Sequence, residues 1–290
     1  MTALPFPFAV ENYPLAPHTL YNVGGTARLA LLPRDESEMR AAYAWMLDQP
    51  GPKLILGAGS NVLIADHGYP GVVLFTIHLK RFDPLGGDRY YVGGGGELTW
   101  LVREVMMPHN YAGVGALTGI PGSVGGALYM NAGIVTGSTC EYVETVDLLN
   151  PEGEKQIRME PGLYAYRSQR FCAPGDVILG AVFRFQPSDR DERTIFEHYI
   201  QRRLEKQPQG YCCGSVFKNP PGDHAGRLIE ACGLKGTRQG GAIISPQHAN
   251  FIMNENRATF EDIMALIELV KNTVHERHGV QLEEEVRIIR

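Results

Sequence analysis

The sequence predicts a mixed α and β fold in two domains, on three observations. Short apolar runs bounded by turn residues alternate with helical patterns through the first two thirds, and two segments of helical periodicity dominate the last third. The 34 glycines are clustered into loops rather than spread. At 290 residues, 44% of them hydrophobic, the chain can bury a substantial core, and the length suits two domains.

The runs Leu29 to Leu32, Lys53 to Leu56, Val62 to Ile64 and Val72 to Phe75 are too short for helices and read as strands. Asp35 to Leu47 reads as a helix, because Asp35 and Glu38 have capping-box spacing and Pro50-Gly51 ends the run. Strand, helix, strand, glycine loop, strand is the order of an α/β layer. Leu98 to Met107 is a second helix, broken at Pro108, and residues 143–149 and 177–185 are strands. Asn150-Pro151-Glu152-Gly153 is a turn. A polar stretch, Gln186 to Glu192, precedes a helical pattern from about Arg193 to Lys206 and sets the domain boundary near 186–195.

Two further helices follow, Asp223 to Cys232 before Gly233 and Thr259 to His278 before Gly279. The second carries Ile263, Leu266, Ile267, Val270 and Val274 at helical spacing. The tail alternates, with Val280, Leu282, Val286 and Ile288 on one face and Glu283, Glu285 and Arg287 on the other.

Composition excludes several classes. The 27 basic and 32 acidic residues give a net charge of −5, which argues against an extended nucleic-acid footprint. Five cysteines without a Cys-x-x-Cys argue against a disulfide framework or a zinc site and for a reducing compartment. His275 and His278 have no accompanying ligand groups, so no metal is expected. There is no charged-then-apolar leader and no apolar run of membrane-spanning length, so a cytoplasmic protein is expected, with no membrane partner.

The chemistry is carried by glycine loops. Gly57-Ala58-Gly59-Ser60-Asn61 fails the dinucleotide fingerprint, because Val62 stands where the third glycine belongs and a strand follows. No Gly-Lys-Ser/Thr exists, so there is no P-loop. What remains is a nest of backbone amides, with Ser60 and Asn61 adding side-chain hydrogen bonds. Gly119-Ile120-Pro121-Gly122-Ser123-Val124-Gly125-Gly126 has the same character, and Ser123 is placed to cap a following helix. Either loop alone is as well read as a tight turn; two of them suit a pyrophosphate. Downstream, Ser215 sits on a glycine-flanked bend in Gly214-Ser215-Val216-Phe217-Lys218-Asn219-Pro220, and a carboxylate cluster, Glu283-Glu284-Glu285, precedes Val286-Arg287. A serine presented on such a bend can offer its hydroxyl to a bound molecule.

These segments stand in a fixed order with Asn22-Val-Gly-Gly, Asn131-Ala-Gly, Tyr166-Arg167-Ser168, Ala225-Gly-Arg-Leu-Ile-Glu and Gln247-His-Ala-Asn-Phe. The set resembles the UDP-N-acetylenolpyruvoylglucosamine reductase family from about residue 18 to 290. The resemblance implies an α+β protein. Residues 1–190 would form an FAD-binding region of the vanillyl-alcohol-oxidase (PCMH) type, and 191–290 an α+β substrate-binding domain. It implies FAD, NADPH as co-substrate, and reduction of the enolpyruvyl ether of UDP-N-acetylglucosamine to UDP-N-acetylmuramate in peptidoglycan synthesis. A monomer is the working expectation.

The resemblance assigns Ser215 as proton donor, Arg167 as the group holding the substrate carboxylate and developing charge, and Glu285 as a member of the same site. Cofactor contacts fall on Gly57, Ala58, Gly59, Ser60, Asn61, Gly119, Ile120, Pro121, Gly122, Ser123, Gly125 and Asn131. Substrate contacts fall on Tyr166, Lys206, Asn219 and His248. Read alone, Ser215 also fits a turn residue, Arg167 a surface arginine and Glu285 an exposed strand carboxylate.

The chain departs from the family pattern in four places. Cys212-Cys213 replace a small pair before Gly-Ser, which puts a thiol near the proton donor and raises the expectation that its oxidation inactivates. Glu284 stands where the family has proline between two glutamates, which loosens the assignment of Glu285. The segment Asn131-Ala-Gly-Ile-Val-Thr-Gly differs from the usual Asn-Ala-Gly-Ala-Tyr-Gly, and the chain resembles the branch without an extra tyrosine loop. Two other readings stay open at this point: an oxidase of the same flavin fold, and a non-catalytic nucleotide-sugar binder. No tethering histidine or cysteine lies in the pyrophosphate loops, against the first. Arg167, Ser215 and Glu285 together stand against the second.

Overall fold

The computed structural model describes residues 4–290, which form two compact units, each discontinuous in sequence. The first contains the described residues up to Glu11, Leu29–Ala58 and Pro70–Arg202; the second contains Asn12–Arg28, Gly59–Tyr69 and Arg203–Arg290.

In the first unit the helix Glu36–Leu47 starts where Asp35 accepts a hydrogen bond from the Glu38 amide at 2.8 Å. It buries Met39, Ala42, Tyr43 and Met46 against Leu29, Leu31, Val72 and Leu74. Strands Lys53–Leu56 and Tyr69–Phe75 pair in parallel. A five-stranded antiparallel sheet runs in the order Gly153–Arg158, Val143–Asn150, Val177–Arg184, Arg89–Gly93, Phe82–Gly86. The turn at residues 150–153 closes as its residues predict: the Asn150 side chain accepts from the Glu152 amide, and Gly153 takes φ 117°.

The predicted helix from Leu98 is helical but not uniformly α. After Leu98–Trp100 the stretch Leu101–Met106 widens to a π turn, with the Met107 amide reaching Val102. Leu98, Leu101, Val102, Val105 and Met106 are buried against Val124, Leu128 and Phe183.

The core of the second unit is organised by the helix Phe260–His278. Thr259 and Asp262 cap each other reciprocally at 3.0 and 3.1 Å, and Gly279 ends the helix at φ 66° with its amide on His275 O. Ile263, Leu266, Ile267, Val270 and Val274 are buried together against Val216, Phe217, Leu228 and Ile229. Burying each large aliphatic side chain contributes about 1.5–3 kcal/mol. A charge at Ile267 would therefore break this core. The shorter helix is Ala225–Ala231 rather than a run from Asp223, because the Asn219 side chain accepts the Ala225 amide and fixes the start.

The tail alternates in burial as expected, with Leu282 and Val286 inside, but it is a strand only over Arg287–Ile289. That strand pairs in parallel with Val62–Ile64, register Arg287↔Val62.

Candidate active site

The first glycine loop follows strand Lys53–Leu56 and is held by its carbonyls. Gly59 O accepts from the Leu20 amide at 3.1 Å and Asn61 O from the Arg287 amide at 3.0 Å. A Cβ at Gly59, whose φ is 63°, would overlap the carbonyl oxygen of His18. No amide from Gly57 to Asn61 donates to a protein acceptor among the described residues. A run of amides held in place and left for a ligand is the cradle that a pyrophosphate requires. FAD fits this loop on that ground.

The second loop adjoins the first within the first unit, for a Cβ at Gly57 would stand 2.5 Å from Ser123 Oγ. Ser123 caps the helix Val124–Met130 as its sequence suggests, accepting from Gly126 N at 3.3 Å. The next amides are engaged, Val124 N with Gly96 O at 2.7 Å and Gly125 N with Gly94 O at 2.8 Å. Any contribution of this loop to an anion therefore comes from the residues before Val124.

Asn131 ends that helix in the left-handed region at φ 42° and is 2% exposed. Its side-chain amide donates to Ala165 O at 2.8 Å and its side-chain oxygen accepts from Cys140 N at 3.1 Å. Asn131 thus braces the hairpin that carries Tyr166 and Arg167. The hairpin pairs Ala165 with Ser168, leaving Tyr166 and Arg167 as its two-residue turn. Arg167 adopts φ 50°, a conformation that costs a residue with a Cβ about 1–2 kcal/mol. Its guanidinium lies 5.1 Å from the centre of the exposed Tyr166 ring.

In the second unit Gly214, at φ 84°, turns the chain into Ser215. The next three peptide groups are pinned. Val216 N donates to Asn250 O at 2.9 Å, Phe217 N to Asn250 Oδ1 at 3.0 Å, and Asn250 Nδ2 to Phe217 O at 2.9 Å. Residues 283–286 run antiparallel alongside. Lys218 N donates to Glu283 O at 2.9 Å, and Glu285 N and Val286 N both donate to Val216 O, at 2.7 and 3.3 Å.

This register separates the three glutamates. Glu283 pairs with Lys218, and Glu284 with Lys271 at 2.7 Å, which raises the Lys271 ammonium above its ordinary range. Glu285 is the one whose backbone is bonded to the residue after Ser215. Its carbonyl accepts from Asn61 Nδ2 at 2.9 Å. The side chain of Asn61, expected at the cofactor, therefore also holds Glu285.

Of the other expected contacts, Asn219 uses its side-chain oxygen on the Ala225 amide. The His248 ring lies tilted at 59° to that of Phe251, with centroids 4.7 Å apart, and its Nδ1 accepts from Asn250 N at 3.2 Å. Burial first, and then the Lys235 charge, hold the His248 imidazole below its usual range, which keeps it neutral near pH 7. Lys206 closes the helix Glu192–Lys206 and is exposed. Sequence reasoning passed over Asn250, although a polar residue between Ala249 and the apolar pair Phe251-Ile252 was its signal.

Cys213 is buried, and burial pushes its thiol up to about 12. The thiolate needed for attack is therefore scarce at neutral pH. We expect iodoacetamide at pH 7.5 to leave Cys213 unmodified in the folded protein; peptide mass mapping that finds it alkylated within minutes would contradict this.

The family described as "UDP-N-acetylenolpyruvoylglucosamine reductase, C-terminal domain" matches residues 206–289, and that described as "FAD binding domain" matches residues 27–158. A UDP-N-acetylenolpyruvoylglucosamine reductase of Geobacter metallireducens is 40% identical over 97% of this chain and 93% of its own. One of Chlamydia abortus is 37% identical over 99% and 97%. The crystal structure of the reductase from Thermus caldophilus superposes with a TM-score of 0.79, at 31% identity, over 97% of this chain and 98% of that one. The chain belongs to the UDP-N-acetylenolpyruvoylglucosamine reductase family, an α+β flavoprotein family of oxidoreductases, and carries its FAD-binding domain.

Proposed function

We propose that this protein reduces the enolpyruvyl ether of UDP-N-acetylglucosamine to UDP-N-acetylmuramate, with NADPH as hydride donor, in the cytoplasm. Residues 1–190 would serve FAD and residues 191–290 the sugar nucleotide. The family matches at 27–158 and 206–289 support that division. The observation that carries the reading is the register that bonds the Glu285 amide to Val216 O, beside Ser215.

The amides of residues 57–61 would hold FAD, which when bound would supply hydride transfer from a nicotinamide to the vinyl carbon. The protein does the rest. As hydride adds to the terminal CH2 carbon, the π pair of the double bond moves to the ether-bearing carbon and spreads into the carboxylate. Arg167 grips that carboxylate with a guanidinium that stays charged, which stabilises the developing charge. The Ser215 hydroxyl then gives its proton to the carbon, forming the second C–H bond. A serine is a weak acid in water, but here it meets a strongly basic carbon from a fixed position. Glu285 anchors the path by which Ser215 recovers a proton. Lys206 suits the diphosphate as a mobile ammonium, with Asn219, His248 and Tyr166 lining the sugar nucleotide.

The test is NADPH consumption by the purified protein without oxygen, with and without UDP-N-acetylglucosamine enolpyruvate. Sustained consumption only with that substrate is expected. Flavin bleaching that stops after one turnover with the substrate present would overturn the reading and point to another acceptor.

A further inference from the structure

We propose that Asn250 is a positioning residue for Ser215, an inference that rests on Ser215 being the proton donor. Asn250 is 3% exposed, and the two ends of its side-chain amide clasp one residue across its Cα, Phe217 N–H at 3.0 Å and Phe217 C=O at 2.9 Å. Its own carbonyl takes the Val216 amide at 2.9 Å. Three hydrogen bonds from one residue thus fix the three peptide groups that follow Ser215.

Gly214 is in the left-handed region at φ 84°, and a Cβ there would meet no atom within 4 Å. The glycine is a swivel, so the direction of the Ser215 hydroxyl is set from its C-terminal side. That side is also where Glu285 and Val286 bond to Val216 O. Asn250 therefore fixes Ser215 and the Glu285 backbone in one frame. It is held in turn by its own amide, which donates to His248 Nδ1 at 3.2 Å.

The paired geometry argues for placement rather than mere stability. A buried polar pair can often be exchanged for apolar groups of the same shape at little loss, whereas a two-point amide fixes the backbone conformation of the residue it clasps. Misplacement of a reacting group by about 1 Å lowers a rate by about 10²-fold.

The test compares Asn250→Ala and Asn250→Asp with the wild type in anaerobic stopped flow, alongside flavin content and thermal melting. Flavin bleaching by NADPH is expected to keep its wild-type rate. Reoxidation by UDP-N-acetylglucosamine enolpyruvate is expected to slow by about 10²-fold. The aspartate variant adds a signature. A carboxylate facing Phe217 O repels it, whereas the protonated acid can donate to it. Its reoxidation rate relative to wild type should therefore climb as pH falls, while the alanine variant shows no such recovery.

Should the alanine variant not fold, the aspartate variant carries the test. Wild-type reoxidation in the aspartate variant, equal loss of both half-reactions, or a variant without flavin at every pH would each overturn the positioning role. A wild type that does not turn over this substrate would instead sink the functional reading beneath it.

Discussion

The Ser215→Ala variant is expected to bleach its flavin with NADPH at the wild-type rate and then to stall, forming no UDP-N-acetylmuramate. The alanine removes one hydroxyl from a bend whose backbone is fixed by Val216 and Phe217, so the surrounding structure has no reason to move. In the proposed mechanism the Ser215 proton is needed only after hydride has left the flavin. General acid catalysis is worth about 10²–10⁴-fold in rate, and at least the lower figure should be lost from reoxidation by the sugar nucleotide. Product formation at the wild-type rate would remove Ser215 from the chemistry.

The second large effect is structural in origin. Gly59→Ala is expected to yield protein without bound flavin and with a lowered melting temperature. Two terms act together there. A φ of 63° costs a residue with a Cβ about 1–2 kcal/mol. The new methyl group would also overlap the His18 carbonyl oxygen, in a segment tied to the loop through Leu20 N and Gly59 O. The loop must shift, and its free amides shift with it. Gly222→Ala is the control, since Gly222 has φ 78° in open space and suffers only the backbone term. The measurement is flavin absorbance per protein after purification. A Gly59→Ala protein as yellow as wild type would show that these amides do not cradle the cofactor.

The sequence was most legible where the determinants are local. The helix Phe260–His278 could be read from its cap, its apolar spacing and its terminal glycine, all of which act within a few residues. The bend at Gly214-Ser215 and the helix capped by Ser123 were legible for the same reason. Partners distant in sequence were not. Nothing in Val62–Ile64 announces a parallel partner at Arg287–Ile289, since any apolar strand satisfies the same pattern. The strands Phe82–Gly86 and Arg89–Gly93 passed unnoticed because their glycines and charges mask the alternation. The family pattern named Asn61 and Asn131 as cofactor residues. Their hydrogen bonds to Glu285 O and to Ala165 O and Cys140 N depend on chain segments that no local spacing reveals. The ion pairs of Glu283 with Lys218 and of Glu284 with Lys271 likewise join residues that no local spacing connects.

The pairing of Val62–Ile64 with Arg287–Ile289 also bears on how the protein is made. The two segments form a sheet of two strands, and the bond between Asn61 and Glu285 spans 224 residues. On a ribosome adding about 5–20 residues per second, the earlier strand waits roughly 10–45 s for its partner to be synthesised. During that interval an apolar Val-Leu-Ile edge stands open on the nascent chain, which is the kind of edge that other chains capture. The glycine loop beside it lacks the Arg287 amide that secures Asn61 O over the same period. Flavin uptake would then be a late event in biogenesis, following synthesis of Arg287, and overproduction without chaperones or riboflavin would favour inclusion bodies over pale soluble protein.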